Sequence, residues 1–284
     1  MASISPTGAA CGAVVSDIDL REPVDDATVA LLRSGLDDHH VLVLPGQQID
    51  NEQLERFSTV FCSLGTDPWF VPIDGSDFIA EVRREAQETT PLFAEGWHSD
   101  WSFLETPPVA TCLFGLQIPP VGGDTLFANQ HLAYERLPEQ LKARIDGLVG
   151  MHTTRKIYGK GGMYHEDNEA EAGRSMAFVQ DGDPYDGEHP LVRVHEGNGR
   201  PALFSTIGYV QGIAGMDQAE ARELLVELHT HQIADDVVYR HRWEPDMVVI
   251  WDNRSVLHRA TGGYDGHTRV LRRTTIIPGD ASTA

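Results

Sequence analysis

His98 and Asp100 stand one residue apart in the segment EGWHSDWSF, flanked by Trp97 and Trp101. In a β-strand, positions i and i+2 point to the same face, so an imidazole and a carboxylate would lie side by side on an apolar-flanked surface. Such a pair can ligate a metal, act as a catalytic dyad, or be two polar residues near a turn. The triplet alone does not choose. With 13 histidines and 43 acidic residues, His-X-Asp/Glu arises by chance about as often as it is seen. The other copy, His165-Glu166-Asp167, sits in GGMYHEDNEAEAG, which has no strand or helix pattern and reads as a solvated loop. His229 and His231, two apart on an expected helix, do not share a face. His98 and Asp100 differ because a core strand does not bury such a pair without a partner.

A third ligand type follows the apolar run MVVIWDN, in WDNRSVLHRATGGY: His258, at an expected strand end. Two histidines and one carboxylate on a β-scaffold, with coordination positions left open, form the facial triad of non-haem Fe(II) oxygenases. Zinc accepts the same set, and a plain turn residue at His258 stays open. In TRVLRRTTII, Arg269, Leu271 and Arg273 share one strand face. If Leu271 faces inward, two guanidiniums enter the interior. A buried arginine needs an anion and binds carboxylates in bidentate fashion. The alternative is an exposed edge strand with salt bridges.

The elements that must position these residues begin as α/β and become strand-rich. DDATVALLRSGLDDHH and NEQLERFSTVFCSLG have helical apolar spacing, the second capped by Asp50. VLVLPG between them is a short buried strand, and residues 9–20 also look strand-like. FIAEV, WHSDWSF, VATCLFGLQI, DTLFAN, VVYRHRW, DMVVIWDN and TRVLRRTTII are strand-like runs between Pro and Gly punctuation. LAYERLPEQLKARIDGLVG predicts a helix broken near Pro138, and Asp217 caps another. Gly197-Asn198-Gly199 signals a hairpin. Residues 159–189, rich in Gly, Asp and Glu, suggest an exposed insertion or lid. The expectation is a single domain, 1–284, mainly β with flanking helices, as a jelly-roll barrel.

A formal charge of −21 over 284 residues opposes binding to nucleic acid and to anionic membranes. Three scattered cysteines do not suggest a disulfide framework, the N-terminus lacks a signal-peptide pattern, and no apolar run is long enough to span a membrane. A cytoplasmic protein is expected, with a small-molecule substrate and a homo-oligomer left open.

Together, WHSDWSF, PPVGGDTLFAN, HPLVRVHEGNGRPALF, WDNRSVLH and TRVLRR resemble the taurine dioxygenase-like family of Fe(II)/2-oxoglutarate-dependent dioxygenases, over about residues 10–278. The spacings from His98 to Thr125 and from His258 to Arg269 carry the specificity of the match. The resemblance implies a double-stranded β-helix. It implies iron held by His98, Asp100 and His258, and the distal carboxylate of 2-oxoglutarate held by Thr125 and Arg269. Arg273 matches an arginine that contacts the substrate's anionic group in the taurine enzymes and the cosubstrate elsewhere. The implied reaction consumes 2-oxoglutarate and O2, releases succinate and CO2, and hydroxylates a substrate C–H. Asp100 argues against a halogenase, since a halide would need that carboxylate's position.

The chain departs from the taurine enzymes around the substrate. Ala94 replaces an asparagine, Asp67 stands where a histidine contacts substrate, and Tyr158 and Tyr209 replace two phenylalanines. An acid would repel a sulfonate, so Asp67 suggests a substrate with a carboxylate plus an amine or hydroxyl. Ordinary amphipathic packing would equally account for the two tyrosines. Competing readings are desaturation or oxidative cleavage by the same oxidant, a metal- or ligand-binding barrel without turnover, and a zinc hydrolase. The last would leave Arg269 unexplained.

Overall fold

A computed structural model describes residues 1–279. The chain begins with a hairpin, β1 (Ser3–Pro6) and β2 (Ala13–Ser16), followed by α1 (Asp26–His39), β3 (Val41–Leu44), α2 (Asn51–Ser58), β4 (Ser63–Gly65) and β5 (Ile79–Arg84). Next come β6 (Ala110–Gln117), β7 (Thr125–Asn129), α3 (Gln130–Glu135), α4 (Glu139–Ile145), β8 (Val149–Thr153), β9 (Asp186–Pro190), β10 (Val192–Val194) and β11 (Pro201–Leu203). β12 (Val210–Ile213), α5 (Gln218–Gln232), β13 (Val238–His241), β14 (Val248–Asp252), β15 (Val256–Ala260) and β16 (Arg269–Ile277) complete it. No helix among the described residues is long and apolar enough to cross a membrane.

The strands form a double-stranded β-helix. The large sheet runs β1-β2-β3-β14-β6-β16-β4, with β5 also on β16, and it faces a three-stranded sheet, β13-β7-β15. Among the described residues, only β2 and β3 pair in parallel within the large sheet; β14 and β16 are antiparallel to all their partners there. β14 is buried on both faces, which is why DMVVIWDN reads as a continuous apolar run. Val248 and Ile250 join Leu42, Leu44, Cys112 and Phe114 under α1 and α2. Val249 and Trp251 join Val41, Val43, Leu113, Phe127 and Leu271 in the interior. Each such buried aliphatic or aromatic side chain contributes about 1.5–3 kcal/mol.

The helices end where their caps dictate. Asp25 accepts from Thr28 N at 2.8 Å, and α1 stops at His40, which takes φ +68°. Asp50 and Gln53 close a capping box at α2. Three segments differ from the sequence expectation. WHSDWSF is not a strand: His98 makes one isolated bridge, then the chain turns, with Trp101 at φ +45°. His258 lies inside β15 rather than past a strand end. The 159–189 segment is not simply exposed; Met176 and Phe178 pack with Tyr158 and Trp69, and His165, expected in a solvated loop, is buried.

Candidate metal and cosubstrate site

His98 and His258 meet through the backbone. His98 N–H donates to His258 O at 3.0 Å and His258 N–H to His98 O at 2.8 Å, the closed double bond of a hydrogen-bonded antiparallel pair. Residues so paired put their side chains on one face, and the imidazole centroids lie 4.2 Å apart. The turn after His98 brings Asp100 back to both rings: Oδ1 is 3.7 Å from His98 Nε2, and Oδ2 is 3.8 Å from His258 Nε2. One donor atom from each of the three residues lies within 4.8 Å of the others, close enough to share one ion.

The electrostatics suit a cation. His98 Nδ1 faces Gly96 O at 2.9 Å; it must donate there, which leaves the Nε2 lone pair free. Burial, then the neighbouring His98, pulls the His258 pKa down to about 3, so the ring is neutral, as a metal ligand must be. Burial alone would raise the Asp100 carboxyl. The Arg273 guanidinium, the two imidazoles and the Thr111 hydroxyl outweigh it and hold Asp100 below the usual carboxylate range.

Leu271 is fully buried in the interior, so Arg269 and Arg273 both enter, and both line the cavity that holds His98, Asp100, His258 and Thr125. Arg269 is 6% exposed and meets no acid among the described residues; its Nε has no hydrogen-bond partner. It lies over the Trp243 ring, 5.8 Å from the centroid, and burial lowers its pKa to about 10. Trp243 Nε1 donates to Thr125 Oγ1 at 2.9 Å, leaving the Thr125 hydroxyl proton for another acceptor. The glycines of PPVGGD make room. A Cβ on Gly123 would sit 3.1 Å from Arg269 Nε, and one on Gly122 only 2.5 Å from Gly263 O.

Comparison with known proteins bears on this arrangement. The model of the family described as taurine catabolism dioxygenase TauD, TfdA family matches residues 3–275. The chain belongs to this TauD/TfdA family. An alkylsulfatase of Acinetobacter baylyi is 35% identical over 96% of this chain and 83% of its own length. An alpha-ketoglutarate-dependent 2,4-dichlorophenoxyacetate dioxygenase of Cupriavidus pinatubonensis is 34% identical over 93% of each chain. The crystal structure of a taurine dioxygenase from Burkholderia xenovorans superposes with a TM-score of 0.80 at 30% identity, covering 98% of this chain and 91% of that one. This TauD/TfdA protein is thus a 2-oxoglutarate-dependent dioxygenase, an oxidoreductase that uses Fe(II), 2-oxoglutarate and O2. The residues fit those groups: a neutral-imidazole and carboxylate set for the metal, and beside it a buried guanidinium lacking an anion.

On the substrate side of this TauD/TfdA chain, Asp67 and Arg273 both have partners within the protein. Asp67 does not present its carboxylate to the cavity. Oδ1 accepts from Trp101 Nε1 at 2.5 Å and Thr275 Oγ1 at 2.7 Å, and Oδ2 lies 3.4 Å from Arg273 Nε. The last is an ion contact without hydrogen-bond geometry, since that Nε has no hydrogen-bond acceptor. Arg273 in turn donates to Asp100 Oδ2 at 3.2 Å and Thr275 Oγ1 at 3.3 Å, between the Phe70 and Trp101 rings. Its charge is already answered by two acids. The acid that stands in place of the histidine lies against Arg273 and answers part of its charge.

Tyr158 and Tyr209 are buried and line a recess on the other side of His98, with Phe93, Trp97, Ile157 and Tyr164. Burial, first, keeps both phenols well above their ordinary pKa, so both remain neutral hydroxyls. Sequence reasoning missed Arg84, Glu88, Arg174 and Tyr264 on the cavity wall. Arg84 was findable, because in FIAEVRR it shares a strand face with Ala80 and Val82; in the structure it pairs with Arg269. Arg174 and Glu88 lie in irregular segments with no periodicity to mark them. A second cluster, Asp37, His195 and Asp252, also gathers close donor atoms. There His195 Nδ1 accepts from Gly197 N and Asn198 N, so Nε2 must donate to Asp252 Oδ2 at 2.7 Å. Neither nitrogen keeps a lone pair for a metal, and Arg254 occupies the Asp252 carboxylate.

Proposed function

We propose that this enzyme hydroxylates an unactivated C–H of a small polar, carboxylate-bearing substrate. In this reading His98, Asp100 and His258 hold the iron, and Thr125 and Arg269 hold the distal carboxylate of 2-oxoglutarate. The observation that carries it is the buried, acid-free Arg269 in one cavity with the two histidines and Asp100. A buried guanidinium without an anion is costly, and a dicarboxylate cosubstrate relieves that cost. Bound Fe(II) would couple oxidative decarboxylation of 2-oxoglutarate, giving succinate and CO2, to oxidation of the substrate.

The protein's own part is positional. His98 is held by its bond to Gly96 O, Asp100 by Arg273 and Thr111, and Thr125 by Trp243. Leu92, Phe93, Leu113 and Trp251 on the cavity wall help to exclude water. In the recess beside His98, Tyr158 and Tyr209 offer neutral hydroxyls to a polar substrate group. Curated relatives named for a phenoxyacetate and for alkyl sulfates support an anionic substrate with an apolar body. Arg273 would meet such an anion only by sharing it with Asp67 and Asp100.

The alkylsulfatase likeness favours a second outcome: hydroxylation beside an ether or ester oxygen, whose product collapses and breaks the C–O bond. We further propose one catalytic domain, 1–284, with 159–189 as its lid, which fits a family match over 3–275. A cytoplasmic setting fits Cys11 and Cys112, buried thiols that desolvation pushes up to about 12. The test is anaerobic addition of Fe(II) and then 2-oxoglutarate to apo-protein. A weak visible charge-transfer band should need both additions and vanish in His258→Ala. A band that persists in that variant would remove His258 from the metal. Succinate release would then be screened with small carboxylates bearing ether, amine or hydroxyl groups.

A further inference from the structure

The motif WDNRSVLH contains an asparagine, Asn253, that neither the metal nor the cosubstrate reading uses. It is 1% exposed, and both ends of its amide are engaged. Trp251 Nε1 donates to Asn253 Oδ1 at 2.9 Å, and Asn253 Nδ2 donates to Thr111 Oγ1 at 2.9 Å. Thr111 is wholly buried and has one hydroxyl proton, which goes to Asp100 Oδ2 at 2.7 Å.

The sense of this chain is forced. An indole N–H only donates and an ionised carboxylate only accepts, so every bond runs from Trp251 towards Asp100. The strands build it: Trp251 and Thr111 are register partners between β14 and β6. Asn253 is pinned at the start of the following turn. Its N–H donates to Val109 O at 3.0 Å, and its carbonyl accepts from Ser99 Oγ, next to Asp100, at 2.7 Å. With Arg273 Nη1 also on Oδ2 at 3.2 Å, that oxygen takes two donors. Oδ1 receives no hydrogen bond among the described residues; it lies nearer His98 Nε2 and Oδ2 nearer His258 Nε2, so the hydrogen bonds and not the distances single out Oδ1.

We propose that Thr111 and Asn253 are positioning residues for the metal site. They hold Asp100 Oδ2 as a hydrogen-bond acceptor, so that Asp100 meets the metal through Oδ1 alone. A carboxylate free to rotate could chelate with both oxygens and occupy a position that the keto acid or O2 needs. The inference rests on the reading of His98, Asp100 and His258 as the metal ligands.

The test is titration of apo-protein with Mn(II) alone, the free ion read by electron paramagnetic resonance. Wild type and Asp100→Ala set the two limits. Thr111→Val keeps the shape and removes the hydroxyl. It should weaken Mn(II) binding by roughly 10- to 100-fold, the usual effect of losing a partner that orients a ligand. Thr111→Ser restores the hydroxyl and should restore the affinity. Thermal unfolding of the apo-proteins separates a packing role, which would lower the midpoint of Thr111→Val and leave its affinity untouched. If Thr111→Val does not fold, Thr111→Ala replaces it against the same serine control. Thr111→Val binding Mn(II) like wild type, or Thr111→Ser losing as much as Thr111→Val, would overturn the proposal. If Asp100→Ala binds as tightly as wild type, the ligand reading itself fails and the positioning role falls with it.

Discussion

A guanidinium as enclosed as Arg269 is costly unless an anion comes to it, and among the described residues no acid does. Arg269→Ala should therefore raise the 2-oxoglutarate requirement. Loss of a charge-assisted hydrogen bond of about 1.5–3 kcal/mol predicts a KM for 2-oxoglutarate roughly 10- to 100-fold higher. Steady-state succinate release against 2-oxoglutarate concentration measures it, and an unchanged KM would take Arg269 out of the cosubstrate site. Asp100→Ala should abolish iron-dependent turnover while circular dichroism stays native; full retained activity would sink its assignment as a ligand. At this scale the sequence spoke through spacing. His98, Asp100, His258, Thr125, Arg269 and Arg273 are recognisable from their motifs, and the structure gathers all six around one cavity. What spacing could not disclose is who satisfies whom. Asp67 and Arg273 lie far apart in sequence, yet each answers the other's charge, and no spacing announces that ion pair.

The 159–189 segment shows how a stretch of chain can be tied down by one side chain. The Glu88 carboxylate, 1% exposed, accepts from both N–H and Oγ of Ser175 and from Thr90 Oγ1, and Arg84 and Arg174 approach it. Arg174 also donates to Pro91 O at 2.7 Å. Glu88→Gln keeps the size but removes the charge from this knot. Each charged hydrogen bond lost is worth about 1.5–3 kcal/mol, so hydrogen exchange of amides around residues 170–178 should speed up about 10-fold or more, with β14 and β16 unchanged. Uniform exchange across the chain would instead mean that Glu88 merely stabilises the whole fold. The barrel was legible because apolar runs such as VLVL and VVIW are buried on both faces and helix starts carry Asp caps. The 159–189 segment was not, because its order comes from Glu88, Phe70 and Trp69, contacts distant in sequence that leave no period. WHSDWSF misled for a related reason: its aromatics pack against β-structure while its backbone turns, with Trp101 at φ +45°.

Over the whole molecule, acid acts in two opposing ways. The formal charge of −21 means that lowering the pH reduces self-repulsion and favours the compact state. Against this stand histidines buried neutral in separate elements. Desolvation, first among the causes, takes His40 and His152 down to about 3 and His241 down to about 4. Their unfolded-state pKa is about 6.5. Below that value the unfolded chain binds protons that the folded chain refuses, so stability rises with pH and is lost as pH falls from about 6.5 towards 4 or 3. Each histidine contributes about 1.4 kcal/mol per pH unit within its window. The global repulsion is between mostly exposed charges and is screened beyond about 8 Å at physiological salt. The buried rings therefore win, and the apo-protein should lose stability steeply between pH 6.5 and 5. Among the described residues, His152 has only Ser102 Oγ as a partner, and its Nε2 has none. His152→Gln should accordingly flatten the slope of unfolding free energy against pH by one histidine's share, about 1.4 kcal/mol per unit. Urea unfolding at several pH values in 0.15 M salt measures that slope. If His152→Gln and wild type have the same slope, the acid sensitivity lies in other groups, and Asp252, held below its ordinary pKa against the cost of its burial by His195 and Arg254, becomes the next position to replace.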